Sequence, residues 1–277
     1  MVAAGIVVMG VVNVTPDSFS DGGRYADTAA AVAHGRQLLA DGADILDIGG
    51  ESTRPGATRP LVSEELDRVV PVITALAADG AVVSVDTMRA EVAEAALAAG
   101  AEIVNDVSAG LADPAILDVV AASEATYVGM HWRAHSDRMS DFAVYDEPGG
   151  VVAAVRRELA ERVEAMRAAG IPDERIVLDP GLGFAKRGEH NWELLRGLDA
   201  VQSLGFRLLV GASRKSFLGR LLAAPDGTPR PVDQREDAGH AITLLLAQAG
   251  VWGVRVHDVR GTRDVLRVLE QMQEVTE

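Results

Sequence analysis

Asp86, Asn105 and Asp179 each close a short apolar run, directly behind Val85, Val104 and Leu178. Two carboxylates and an amide converging on one place can grip a flat, donor-rich heterocycle, the carboxylates accepting from ring N–H and amino groups while the amide both donates and accepts. A guanidine-like edge matches that set. For a single Asp the plainer reading is a helix cap, and Asp86 is placed to cap a helix beginning near Arg89. Three equivalent positions together favour a shared ligand over three separate caps.

Other polar residues close further runs of the same kind. Val12 leads to Asn13, Gly50 to Glu51, Met130 to His131, Val210 to the stretch 211–215, and Val254 to Arg255. Arg255 and His257 are two apart, so on a strand they point the same way. In a closed barrel the last strand lies beside the first, which brings both to Asn13. Together the three make a diphosphate site, with Asn13 as an oxygen ligand for Mg²⁺, an ion that keeps much of its water and takes few protein groups. Lys215 faces the same mouth, and Ser216 stands at a helix start where backbone N–H groups favour a carboxylate or phosphate; an ordinary basic helix end is the bland alternative. The loop 13–23 mixes hydroxyls, carboxylates and Phe19, as either a mobile lid or a capped turn would. Arg54, beside Pro55 and Gly56, presents a fixed cation where anionic groups could dock.

Several common chemistries do not fit. The sequence has no Cys, which excludes disulfides, thiolate catalysis and Cys-ligated zinc. The glycines of 179–184 lack G-x-G-x-x-G spacing, and 211–216 has neither the second Gly of a G-x-S-x-G elbow nor a P-loop frame. His131 and His135 have no third ligand in view, so zinc is rejected there.

Eight run ends that all carry chemistry are what a (β/α)₈ barrel supplies, since its active site is built from the C-terminal ends of its strands. Helical period appears between the runs. Val92, Ala95, Ala96 and Ala99 form one stripe, Val152, Val155, Leu159, Val163 and Met166 a second, and Val265, Val268, Leu269 and Met272 a third. Gly42, Gly80, Gly100 and Gly170 stand where left-handed helix ends are wanted. Two connections, 133–149 and 223–236, show neither periodicity and are expected to be irregular, covering the site or meeting a second subunit. The 277 residues read as one domain spanning 1–277, with 48% hydrophobic residues and only 4% aromatics, hence an aliphatic core. A net charge of −15 argues against nucleic acid or an anionic membrane as partner, because both need clustered Lys and Arg. The apolar opening 5–12 is too short to span a bilayer and reads as strand one, so a cytoplasmic location is expected.

Asn13-Val-Thr-Pro-Asp-Ser-Phe-Ser-Asp-Gly-Gly23, Asp47-Ile-Gly-Gly-Glu-Ser-Thr-Arg-Pro-Gly56, Asn105-Asp-Val-Ser108, Asp179-Pro-Gly-Leu-Gly-Phe184, Gly211-Ala-Ser-Arg-Lys-Ser216 and Arg255-Val-His257 together closely resemble the dihydropteroate synthase family, the sulfonamide targets of folate synthesis. Met130-His-Trp-Arg-Ala134 resembles the actinobacterial form and departs from the commoner version, in which Gly and Pro follow the Met-His pair. The resemblance implies condensation of 6-hydroxymethyl-7,8-dihydropterin pyrophosphate with para-aminobenzoate, Mg²⁺ as cofactor, and a homodimer. It implies a pterin held by Asp86, Asn105, Asp179 and Lys215, with Val107, Met130, Phe184 and Gly211 around its faces. Asn13, Arg255 and His257 would hold the diphosphate and Mg²⁺. Phe19, Thr53, Arg54, Pro55, Phe184, Lys215 and Ser216 would form the para-aminobenzoate pocket, and Asp179, Lys215 and Arg255 would carry the chemistry. Two rivals are weaker. A corrinoid-linked methyltetrahydrofolate methyltransferase has no use for the diphosphate group or for residues 53–56, and a non-catalytic pterin binder would be expected to have lost part of the first two motifs.

Overall fold

Eight short strands pair in sequence order, and the first also pairs with the last, closing a parallel barrel. The strands are β1 (Val7–Asn13), β2 (Ile45–Gly49), β3 (Val83–Asp86), β4 (Ile103–Asp106), β5 (Thr126–Met130), β6 (Ile176–Asp179), β7 (Arg207–Val210) and β8 (Gly253–Val256). Between and after them run α1 (Gly23–Ala40), α2 (Val62–Ala78), α3 (Ala90–Ala98), α4 (Ala115–Ala121), α5 (Gly150–Ala169), α6 (Gly188–Arg196), α7 (Leu198–Gln202), α8 (Ser216–Leu221), α9 (Glu236–Gln248) and α10 (Val259–Glu274). This is the expected (β/α)₈ barrel. The computed structural model describes residues 5–15, 23–51, 59–135 and 138–274, with the backbone alone at 23–27 and 140.

Strand alternation sorts the core into two parts. Val8, Val12, Leu46, Ile48, Val83, Val85, Val104, Leu178, Val210 and Val254 face outward and join the helices in one large cluster. Met9, Ile45, Ile103, Val128, Val177 and Leu209, one from each of six strands, form a separate apolar plug inside the barrel. The plug closes the interior, so the barrel is a floor and not a pore.

The helices follow the sequence stripes with one exception. In α3 Val92, Ala93 and Ala96 are buried, and in α5 Val151, Ala154, Val155, Leu159, Val163 and Met166. On α10, however, the buried residues are Val259, Thr262 and Leu266, whereas Val268 and Met272 are 64% and 71% exposed. The expected stripe on this helix was therefore displaced: an i, i+3, i+4, i+7 spacing identifies an apolar face but does not say which surface it meets. Gly42, Gly80, Gly100 and Gly170 all adopt positive φ where their helices end. Among the described residues, each long connection carries only a 3-10 turn as regular structure, at Met139–Phe142 and Val232–Gln234. Among the described residues no helix is long and apolar enough to cross a membrane.

Candidate active site

Two residues beyond each plug position, alternation returns to the inward face at the C-terminal end of the strand. Ile45 gives Asp47, Ile103 gives Asn105, Val128 gives Met130, Val177 gives Asp179 and Leu209 gives Gly211. Asp86 pairs in register with Asn105 on one side and Gly49 on the other. A polar layer therefore sits directly on an apolar one. Above it opens a cavity of about 560 Å³, lined by Asn13, Asp86, Asn105, Val107, Met130, Asp179, Phe184, Gly211, Lys215, Ser216, Arg255 and His257 among others. Every site residue expected from the sequence that falls among the described residues lines this one cavity. Phe19, Thr53, Arg54 and Pro55 lie outside the described residues.

One local expectation is corrected. Glu51 does not directly follow its strand: β2 ends at Gly49, and Gly50 turns so close to α2 that a Cβ there would meet Val69 at 2.8 Å. Arg255 lies within β8, as expected of the strand that Arg255-Val-His257 ends, and is drawn into the barrel. Its Nε donates to Asp47 Oδ2 at 2.6 Å and its Nη2 to Asp86 Oδ2 at 2.7 Å. Asn105 Nδ2 donates to the same Asp47 oxygen at 3.1 Å. Burial pushes Asp86 well above the ordinary carboxylate value, with Arg255 opposing and Asp47 adding to the rise. Burial also works against the Arg255 cation, but Asp47 and Asp86 outweigh it and hold the guanidinium charged. The alternative role for Asp86 as a helix cap is not realised, because the backbone N–H of Ala90 at the start of α3 donates to Asp113 instead, at 2.8 Å.

Asp179 ends β6 and receives the Gly181 N–H on Oδ1 at 2.7 Å. Gly181 has φ +69, and a Cβ there would stand 2.4 Å from the His131 carbonyl oxygen, so only glycine fits this turn. The turn lays Phe184 beside Met88, Val107 and Met130, a small apolar patch at the mouth. Lys215 Nζ stands 4.2 Å from the centre of the Phe184 ring. Burial lowers Lys215 to about 8, with Asp179 and Asp86 opposing and Arg255 adding. Burial raises Asp179, against the Gly181 hydrogen bond and the nearby cations Lys215, Lys186 and Arg255. The mouth thus pairs a carboxylate reluctant to ionise with an ammonium that gives up its proton readily.

On the β1/β8 side, His257 Nδ1 is 3.0 Å from Ser213 Oγ. Ser216 is the exposed first residue of α8. Several residues at the site carried no mark in the sequence. Asp47 is fully buried beneath the cavity lining and joins Arg255 to Asn105, although its place in the second motif gave no role. Met139, Val232 and Arg235 reach the cavity from the two irregular connections, whose irregularity was the only available signal. Both ring nitrogens of His131 are engaged, Nε2 with Glu158 and Nδ1 with Lys186, each at 2.9 Å.

Comparison with known proteins places this geometry. Residues 9–257 match the model of the pterin binding enzyme family. A dihydropteroate synthase of Mycobacterium leprae is 54% identical over 271 residues, 97% of this chain and 94% of that protein. A Xanthomonas albilineans dihydropteroate synthase solved with 4-aminobenzoic acid superposes with a TM-score of 0.88 at 47% identity, over 97% of this chain and 93% of that one. The same organism's enzyme in complex with 7,8-dihydropteroate gives 0.84 at 44% identity, covering 97% and 94%. With a polar layer over an apolar plug, a cavity sized for two small ligands and relatives along nearly its whole length, the chain belongs to the pterin-binding enzymes, among the dihydropteroate synthases.

Proposed function

We propose that this barrel joins 6-hydroxymethyl-7,8-dihydropterin pyrophosphate to para-aminobenzoate, releasing pyrophosphate, with 1–277 acting as one pterin-binding domain. The observation that carries this reading is the convergence of Asp86, Asn105, Asp179 and Lys215 with Asn13, Arg255 and His257 on a single cavity. The first four present acceptors, an amide and a cation to the heterocycle; Val107, Met130, Phe184 and Gly211 border its faces. Asn13, Arg255 and His257 receive the diphosphate across the β1/β8 seam. Ser216, at the start of α8, takes the para-aminobenzoate carboxylate, and Phe184 and Lys215, with Phe19, Thr53, Arg54 and Pro55, form the rest of that pocket.

The donor set fits Mg²⁺, since Asn13 offers one amide oxygen beside the diphosphate position and this ion completes its shell with phosphate oxygens and water. When bound, Mg²⁺ supplies charge neutralisation on the diphosphate. The carbon–oxygen bond to the diphosphate breaks with its electron pair leaving on pyrophosphate. Asp179 stabilises the cation that develops on the pterin and its methylene. The aryl amine nitrogen then bonds to that carbon and gives up a proton to the departing pyrophosphate. No enzyme nucleophile takes part.

Homodimerisation is supported by the exposed Leu245, Val268 and Met272 on α9 and α10, at 62%, 64% and 71%. Nucleic acid and anionic membranes are disfavoured as partners by the net charge of −15, and the cytoplasm is the proposed location. A pyrophosphate-release assay tests the function. Release should require both substrates; release without para-aminobenzoate would make the chain a hydrolase, and none with both would refute the reading.

A further inference from the structure

Lys186 does not line the cavity, yet its ammonium is fully committed just behind it. Nζ donates to Gly181 O at 2.9 Å, to Phe184 O at 3.0 Å and to His131 Nδ1 at 2.9 Å. Glu158 is held as a carboxylate, which only accepts, so the proton of the neutral His131 ring lies on Nε2, donating to Glu158 Oε2 at 2.9 Å, and Nδ1 accepts from Lys186. Arg133 closes the chain. Its Nε donates to the same Glu158 oxygen at 2.9 Å, its Nη1 to Val144 O at 2.7 Å, and its guanidinium stacks 4.1 Å over the Tyr145 ring. Tyr145 OH in turn donates to Ala185 O at 2.9 Å.

Three carbonyls of the turn after β6 are thus tied: those of Gly181 and Phe184 by Lys186, at the turn's own end and oriented from the β5 side by His131, and that of Ala185 by Tyr145. The turn needs such ties. Gly181, Gly183 and Ala185 all have positive φ, and for Ala185 at +47 that conformation is strained. Without these ties the turn would relax, and it carries Asp179 at one end and Phe184 at the other. The departure at Trp132-Arg133-Ala134 also gains a physical account here, since Arg133 supplies a tie that a Gly-Pro turn could not.

We propose that Lys186, oriented by His131 and Glu158, is a positioning residue that sets the 180–185 turn in the conformation in which Asp179 and Phe184 meet the pterin. It acts on the pterin half of the site alone, because the diphosphate residues Asn13, Arg255 and His257 sit on β1 and β8 or just beyond. The inference rests on the pterin reading of the cavity, whose own failure would show as no pterin binding by the unaltered chain.

The test is calorimetry on Lys186→Met, which keeps the stem and removes every donor, titrating separately 6-hydroxymethyl-7,8-dihydropterin and pyrophosphate with Mg²⁺. Pterin affinity should fall at least tenfold while pyrophosphate affinity stays within twofold of the unaltered enzyme. A merely structural tie would leave both affinities alone or weaken both together, and either result overturns the proposal. Should Lys186→Met fail to fold, Lys186→Gln retains donors for part of the set and should show the same split at smaller size; unchanged pterin affinity in that variant would equally overturn it.

Discussion

Arg255 Nη2 reaches Asp86 Oδ2 at 2.7 Å, so the cation of the last strand and the carboxylate of the third meet inside the barrel. With Asp47 on its Nε, Arg255 is the charge balance for two buried acids before it is anything to a substrate. Removing one partner of such a group leaves the others buried and uncompensated, a loss of about 3–5 kcal/mol. Arg255→Met should therefore lower the urea midpoint markedly as well as weaken ligand binding. An unmoved midpoint with lost pyrophosphate affinity would mean that Arg255 serves the diphosphate alone.

Asp179→Asn keeps the shape of the side chain and its bond to Gly181 while removing the charge beside the developing cation. The loss should appear in kcat, by roughly 100-fold, the scale of one electrostatic stabiliser. Steady-state kinetics decide it: an effect confined to the KM for the pterin substrate would leave Asp179 as a binding group.

Asn13→Ala should raise the Mg²⁺ concentration needed for half-maximal turnover while the affinity for a pterin lacking diphosphate is kept. Equal Mg²⁺ dependence in the variant would show that Asn13 only shapes the turn after β1.

Lys215, lowered to about 8 by burial, should lose its proton as pH rises through that value and not near 10.5. It is the charged form that attracts Asp179 and a substrate anion, so kcat/KM should have an alkaline limb at about pH 8. In Lys215→Arg, where the cation persists, that limb should disappear from the pH profile even if the rate is lower throughout. Its persistence would assign the limb to another group.

Burial lowers His131 to about 4, below its ordinary 6.5, so the unfolded chain binds the proton first as pH falls. The His131 contribution should therefore be lost between about pH 6.5 and 4, against the opposite contribution of Asp86, whose raised value favours the folded state as pH falls. For Glu158 burial works upward, but His131 and Arg133 outweigh it and hold the carboxyl at about 2, which extends the loss from 4.5 downward. Chemical denaturation of parent and His131→Gln across this range isolates the upper window as their difference, the variant losing less stability than the parent between pH 6.5 and 4. A variant as acid-sensitive as the parent between pH 6.5 and 4 would place the titration elsewhere.

How much of this was legible beforehand depended on whether the information was local. Strand alternation and glycine helix ends are set by neighbours along the chain, so Gly42, Gly80, Gly100 and Gly170 and all eight strands could be read directly. The meeting of Asn105, Asp179 and Lys215 could also be read, because a parallel barrel sends every strand end to one rim. Long-range pairing could not. The bond from Asp47 to Arg255 spans 208 positions, and nothing beside either residue marks it. Lys186 and Glu158 look like surface charges in the sequence until His131 is placed between them. The displaced stripe on α10 has the same cause. Periodicity fixes which residues share a face, but only packing against β1 and α9 decides which face is buried, since burial belongs to the whole assembly of elements and not to any segment of it.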